Sequence, residues 1–322
     1  MLSTELKSQI QGAYSRFLEA KSLKPRYGQR LMIAEIAKVL GTIKTDDEGK
    51  RLGDPAVVAV EAGTGTGKTV AYSLATIPTA KAAGKRLVIA TATVALQEQI
   101  VHKDLPDLLR NSGLNFSFAL AKGRGRYLCL SKLDHLLQDG AAQSATAQLF
   151  EEEGFRIDVD EQGQKLFTAM IEKLAGNKWD GDRDSWPEEL EDSRWAQLTT
   201  DHSQCTNRHC PNFQQCAFYK AREGMGKVDV IVTNHDMVLA DLALGGGAVL
   251  PDPRETIYVF DEGHHLPDKA IGHFAHFTRL RSTADWLTQI DKNLTKLLAQ
   301  NPLPGDLGRL IEQVPELARE LK

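Results

Sequence analysis

Apolar positions recur at helical spacing from the start of the chain. Leu2, Leu6, Ile10, Tyr14 and Phe17 or Leu18 predict an amphipathic helix over 2–18. After Lys24-Pro25-Arg26-Tyr27-Gly28, a second helix is expected near Gln29, with Met32, Ile36, Val39 and Leu40 on one face. Lys44 to Gly53 is polar and contains glycine, which predicts a loop. Val57 to Val60 is a short run of β-branched and small apolar residues, the pattern of a buried parallel strand. A helix should follow from Gly67 to Ala82, kinked or ended by Pro78. Arg86 to Ala90 reads as the next strand, Thr93 to Leu105 as its helix, and Asn115 to Ala121 as a further strand. Strand and helix alternating across short joins imply a parallel α/β sheet. The alternation stops between 123 and 224, where charge and tryptophan become prominent. It resumes with Val228 to Val232 and Thr256 to Phe260. The middle stretch is therefore expected to be an insertion into one sheet. Beyond Pro267 the pattern is helical up to Lys322, and the chain carries no internal repeat or low-complexity tract.

Composition adds bounds rather than identity. A chain of 322 residues predicts about two domains, and 42% hydrophobic with 25% charged residues is ordinary for a globular protein. The net charge of −4 offers no global attraction to a polyanion, so any nucleic-acid contact needs a local basic patch. No apolar run approaches the ~18 residues of a membrane span, and no signal-peptide pattern opens the chain. The four cysteines argue against a disulfide scaffold in a chain of this size. A cytoplasmic protein without membrane contact is the expectation.

Candidate chemistry begins at Ala62-Gly63-Thr64-Gly65-Thr66-Gly67-Lys68-Thr69. This is the P-loop arrangement, with Ala62 where the first glycine usually stands. Glycines let successive backbone N–H groups converge on phosphate oxygens, and a helix N-terminus adds its positive end. Lys68 suits the β- and γ-phosphates of ATP, and the Thr69 hydroxyl suits Mg²⁺. Ile257 to Phe260 is an apolar strand running into Asp261-Glu262-Gly263-His264-His265. There Asp261 is placed to hold Mg²⁺ through water, and Glu262 to orient or deprotonate an attacking water. His264 is read as part of this motif and His265 as a packed or capping histidine.

Cys129, Cys205, Cys210 and Cys216 are separated by 75, 4 and 5 residues. Four thiolates with this spacing suit zinc or an iron–sulfur cluster, with unligated thiols as the plain alternative. His202 and His209 lie nearby and are read as bystanders. Lys122-Gly123-Arg124-Gly125-Arg126-Tyr127 leads into Cys129. Its cations and aromatic ring suit a phosphate backbone and a stacked base, or else form a solvated basic turn. Trp179, Trp186 and Trp195 are expected in a core, with base stacking as the alternative. Asp180, Asp182, Asp184 and Glu191 fall at positions one, three, five and twelve of a calcium-loop pattern. Ser185 replaces the required glycine and Pro187 disrupts the loop, so calcium is rejected.

Taken in order, Ala62 to Thr69 and Asp261-Glu262-Gly263-His264 resemble motifs I and II of superfamily 2 helicases of the DEAH kind. The chain resembles the DinG-type branch of the XPD-like DNA helicases over nearly all its length. Arg26 to Arg30 resembles the family's Q-motif, which implies that Gln29 reads the adenine edge. Thr91-Ala92-Thr93 with Leu96 to Gln99 resembles motif Ia, which touches the nucleic-acid backbone. Asp229 to Ala240, containing Thr233-Asn234-His235, and Leu250 to Pro253 resemble the same branch. The resemblance implies a RecA-like P-loop parallel sheet interrupted by a mostly helical iron–sulfur domain and followed by the start of a helical arch domain. The expected boundaries are 1–122 and 225–265 for the first helicase domain, 123–224 for the cluster domain and 266–322 for the incomplete arch. The resemblance also implies a [4Fe–4S] cluster on the four cysteines and DNA at Lys122, Arg124, Arg126 and Tyr127. The implied activity is ATP-driven 5′→3′ translocation and unwinding at single strands, forks and junctions, by a bacterial, nucleoid-associated monomer in DNA repair or replication. A second RecA-like domain is not found before Lys322, so the chain is expected to be an N-terminal part with little turnover alone. An ATP-gated single-strand-binding module, and a zinc-containing NTPase acting on RNA or protein, are the alternatives.

Overall fold

The computed structural model describes residues 2–48, 51–63, 65–139, 161–201, 204–275, 313 and 320. They fall into two units: Met1–Arg126 with Ala217–Phe274, and Tyr127–Cys216 with Ala275–Lys322. The 276–322 part of the expected arch lies outside the described residues, apart from positions 313 and 320.

The first unit opens with α1 (Thr4–Ala20) and α2 (Tyr27–Leu40). Ser3 caps α1 by accepting the Leu6 N–H, and Leu6, Ile10, Tyr14, Phe17 and Leu18 form its buried face. The expected loop after α2 contains a small antiparallel ladder, β1 (Lys44–Thr45) against β2 (Arg51–Leu52). Helix α3 (Lys68–Ala82) begins at the glycine-rich turn and runs through Pro78 without stopping. Every residue from Ala71 to Ala80 is buried, and that packing outweighs the ~3 kcal/mol that an interior proline costs a helix. The Thr76 and Thr79 hydroxyls donate to the Tyr72 and Ala75 carbonyls at 2.7 Å each.

After β3 (Arg86–Thr91), the Thr93 side chain caps α4 (Val94–Gln99) by accepting the Leu96 N–H. A π-helical turn at Ile100–Asp104 leads into α5 (Leu105–Asn111), so the helical path outruns the expected end at Leu105. Strand β4 (Phe118–Leu120) is shorter than the pattern predicts. In the second unit lie α6 (Leu130–Asp139), α7 (Glu161–Ala175) and α8 (Asp192–Leu198). The first unit then resumes with α9 (Ala217–Met225), β5 (Val230–Asn234), α10 (His235–Ala243), β6 (Thr256–Phe260) and α11 (Leu266–Phe274).

The four longer strands form one parallel sheet in the order β4-β5-β3-β6, with Ile89 facing Val232 on one side and Val259 on the other. Alternation sorts their side chains. Leu87, Ile89, Val230 and Val232 pack with α1, α2 and α3, while Val88, Ala90 and Ile231 pack with Val238, Met225 and Leu250. This is the helix-covered arrangement that parallel sheets require.

The strand expected at Val57 to Val60 is a correction. No residue there joins a ladder, and Val57 is 83% exposed. An apolar run is eligible for a sheet, but a neighbouring strand makes it one. Here β3 pairs with β5 and β6 instead, and β6 is an edge of the sheet.

A polar clip fixes the start of β5. Asp229 accepts from the Ser117 N–H at 2.7 Å, the Ser117 hydroxyl at 3.1 Å and Lys81 Nζ at 3.2 Å. Burial raises its pKa, but these donors outweigh burial and hold the carboxyl below its ordinary value of 3.8. A depressed carboxylate stabilises the fold above its unfolded pKa and loses that contribution as pH falls through the folded one. Asp229→Asn is therefore expected to cost about 1 kcal/mol at pH 7. The difference should begin to shrink in urea melts as pH falls below 3.8 and vanish only once pH passes below the lower folded value. A gap that does not shrink with falling pH would refute the clip.

In the second unit, Leu128, Leu133, Phe167, Met170, Trp179, Trp186, Trp195 and Leu198 form the core. The tryptophans are buried, as expected: Trp179 meets Trp186 edge-on at 4.8 Å, and its indole N–H donates to the Asp182 carbonyl. The acidic loop of the rejected calcium pattern caps its own backbone, with Asp180 and Asp182 accepting the Asp182 and Asp184 N–H groups.

Candidate active site

In parallel α/β sheets, ligands gather at the carboxyl ends of the strands. That end holds both sequence motifs. Gly65 and Gly67 take positive φ values of 75° and 79°, and Gly67 is the N-terminal cap of α3. Only glycine adopts this backbone without strain. The Thr66 hydroxyl donates to the Gly63 carbonyl at 2.6 Å, closing the turn. Lys68 and Thr69 stand in the first turn of α3, while Thr64 lies outside the described residues.

Asp261 and Glu262 follow β6. The Asp261 N–H donates to the Ala90 carbonyl at 2.8 Å, which pins this motif to the end of β3. Glu262 adopts the left-handed backbone, φ 52°, a conformation rarely found outside glycine. Its carboxylate meets the Lys68 ammonium at 2.6 Å, across 194 residues of sequence. The hydrogen bond from Lys68 is the main reason that Glu262 is held below the usual carboxylate range. Burial, and then the charge of Glu262, push Asp261 up, while Lys68 draws it down. His264 Nδ1 lies 3.4 Å from the second Glu262 oxygen. His265 is exposed, which corrects the packed half of the packed-or-capping expectation, and it stands immediately before α11.

A DEAD/DEAH box helicase family model matches residues 43–138. The chain is 41% identical over 298 residues to the ATP-dependent DNA helicase DinG of Photobacterium profundum, covering 92% of this chain and 41% of that protein. It is 38% identical over 300 residues to the protein of the same name from Escherichia coli K12, covering 92% and 39%. Over most of its length the chain resembles the DinG-type DEAD/DEAH box helicases. It spans about two fifths of the length of these relatives. A solved XPD helicase aligns over 92% of the chain and 48% of its own, with 15% identity and a TM-score of 0.44.

Several groups of this site were not singled out in the sequence. The Tyr72 hydroxyl, one turn after Thr69, reaches Asp261 Oδ2 at 3.5 Å. Burial, reinforced by the Asp261 charge, raises its pKa well above 10.0 and keeps it a donor. Asp104, delivered by the π-helical turn, is raised chiefly by burial. His235 is fully buried, with Nε2 3.0 Å from the Asp261 carbonyl. Since a carbonyl only accepts, Nε2 carries the proton. The one signal for His235 was its place in Thr233-Asn234-His235. Gln29 lies next to the loop, but its amide faces inward: Oε1 accepts from Tyr14, and Nε2 donates to the Gly67 carbonyl.

The other predicted residues distribute between the two units. Arg124 and Arg126 form a 3₁₀ turn, and the Arg124 guanidinium lies 4.2 Å from the centre of the Phe218 ring. Tyr127 is buried, so its ring has no open face for a base. All four cysteines are in the second unit, each half-buried, and no disulfide joins them. The Cys129 thiol is raised mainly by burial, with the charges of Cys210 and Cys216 acting in the same direction. Cys210 and Cys216 each close a 3₁₀ turn, at Asn207–His209 and Phe213–Gln215. Among the described residues, no three His, Cys, Asp or Glu side chains are grouped to hold one metal ion. His209 is exposed and His202 lies outside the described residues. No described helix is long and apolar enough to cross a membrane.

Proposed function

We propose that this chain binds Mg²⁺·ATP on Ala62–Thr69 and supplies the nucleotide-hydrolysing part of a 5′→3′ iron–sulfur DNA helicase. The observation that carries this reading is the 2.6 Å pair between Lys68 and Glu262, with Asp261 beside it. The first-turn N–H groups of α3 have no side-chain cap and suit phosphate oxygens. Lys68 suits the β- and γ-phosphates. A Lys68 ammonium drawn to phosphate leaves Glu262 ionised and able to take a proton from water. Thr69 and Asp261 would hold Mg²⁺, which neutralises charge developing on the phosphates. Tyr72 and His235 keep the Asp261 carboxyl and carbonyl oriented.

Residues 123–224 are read as the cluster domain, inserted between 1–122 and 225–265. Cys129, Cys205, Cys210 and Cys216 would hold a [4Fe–4S] cluster whose bonds pin the loops between α8 and α9. The kind of donor supports this reading, four thiols in one unit with no disulfide between them, while among the described residues no three of them are grouped to hold one metal ion. Lys122, Arg124 and Arg126 would meet single-stranded DNA near forks or junctions through its phosphates.

Anaerobic purification followed by a visible spectrum, iron and zinc analysis, and DNA-stimulated ATPase assays tests the proposal. Iron with broad absorbance near 400 nm, and ATP turnover that rises with single-stranded DNA, are expected. Cys210→Ser should remove the colour. A colourless protein containing zinc would favour the NTPase alternative. DNA affinity that changes with ATP while no ATP is hydrolysed would favour a gated binding module.

A further inference from the structure

Tyr14 lies on α1, far from either motif in sequence, and is 8% exposed. Its hydroxyl donates to Gln29 Oε1 at 2.9 Å and accepts the Arg26 N–H at 3.4 Å. A glutamine amide has one accepting end and one donating end. With the oxygen turned to Tyr14, the NH₂ is left facing the Gly67 carbonyl at 3.1 Å. The reversed amide would set two acceptors against each other. The Arg26 guanidinium donates to the Gly65 carbonyl. Gly65 and Gly67 are the two positive-φ residues among the described residues of the loop, so the peptides that follow them set where its N–H groups point. Contact is close enough that a Cβ on Gly67 would run into the Gln29 amide.

We infer that Tyr14 is a positioning residue for the phosphate cradle: its hydroxyl sets Gln29 and Arg26 so that both brace carbonyls of the loop. On this account Gln29 serves the phosphates rather than the adenine edge. The inference rests on the reading of Ala62–Thr69 as a nucleotide site.

The test uses the 322-residue chain with a fluorescent ATP analogue, displaced in turn by Mg²⁺·ATP and by Mg²⁺·tripolyphosphate, which has no base. Tyr14→Phe removes only the hydroxyl. It should weaken ATP and tripolyphosphate by the same factor, roughly five-fold, the size of one neutral hydrogen bond. Gln29→Glu, which can accept from Tyr14 but cannot donate to Gly67, should also weaken both and keeps the test open if Tyr14→Phe folds poorly. Weakened ATP with unchanged tripolyphosphate would mean that Gln29 reads the base, which overturns the inference. A lowered melting temperature with both affinities intact would reduce Tyr14 to packing and overturn it as well. If the unaltered chain binds neither ligand, the nucleotide reading itself fails. If it binds both and the variants match it, this inference fails alone.

Discussion

Glu262→Gln lowers single-turnover ATP hydrolysis by roughly 10²–10⁴-fold while ATP affinity stays within about three-fold of the unaltered chain. The substitution keeps size and an oxygen acceptor toward Lys68 but removes the group that would take a proton from water. The left-handed backbone at position 262 supports the same conclusion. Such a conformation costs about 1–3 kcal/mol and persists where the surroundings over-determine it. Here the Asp261 N–H to Ala90, the Asp261 carbonyl to His235 and the 2.6 Å pair to Lys68 hold it. Radiolabelled ATP with protein in excess separates the chemical step from binding, and a filter assay gives affinity. Hydrolysis within three-fold of the unaltered chain would remove Glu262 from the role of base. A parallel collapse of affinity would instead make it a binding group.

Asp241→Ala is expected to be strongly destabilising, at about 2–3 kcal/mol. Asp241 is fully buried on α10, and its carboxyl accepts the N–H groups of Gly247, Val249 and Leu250. These donors belong to a loop whose three consecutive glycines, Gly245, Gly246 and Gly247, all have positive φ. A side chain on Gly246 would collide with Pro253. Removing the carboxyl leaves the buried Leu250 N–H unpaired, at about 1–3 kcal/mol, while the exposed Gly247 and half-buried Val249 N–H groups can turn to water. It also loosens Leu250, which packs under the sheet with Val88 and Ile231. Asp241→Asn keeps one accepting oxygen and should recover part of the loss. Urea unfolding at unchanged slope gives the difference from the midpoint. A loss below about 1 kcal/mol would mean that the loop holds without this latch.

Much of the sheet was legible because its strands are short apolar runs flanked by helices of clear period. Leu87 to Ala90 and Val230 to Val232 could not face water on either side, and they do not. Val57 to Val60 has the same local character yet remains outside the sheet. A run of valines states a preference, and a ladder needs a partner at the right edge. Pro78 shows the reverse case, where burial along α3 overrides a strong local signal. His265 reads from its neighbours as packed or capping, and the turn after Glu262 leaves it exposed just before α11 rather than packed.

What the sequence determined by itself is the chemistry available: a glycine-rich turn that can point N–H groups at phosphate, a carboxylate pair after an apolar strand, and four thiols between positions 129 and 216. Each follows from residue type within a few positions, where covalent geometry and local periodicity decide. Tertiary structure alone decided which of these groups meet. Lys68 reaches Glu262 across 194 residues, Asp241 latches a loop, and the Gln29 amide is shared between Tyr14 and Gly67. Those partners are selected by how helices pack on a sheet, and no local preference of the chain encodes that choice.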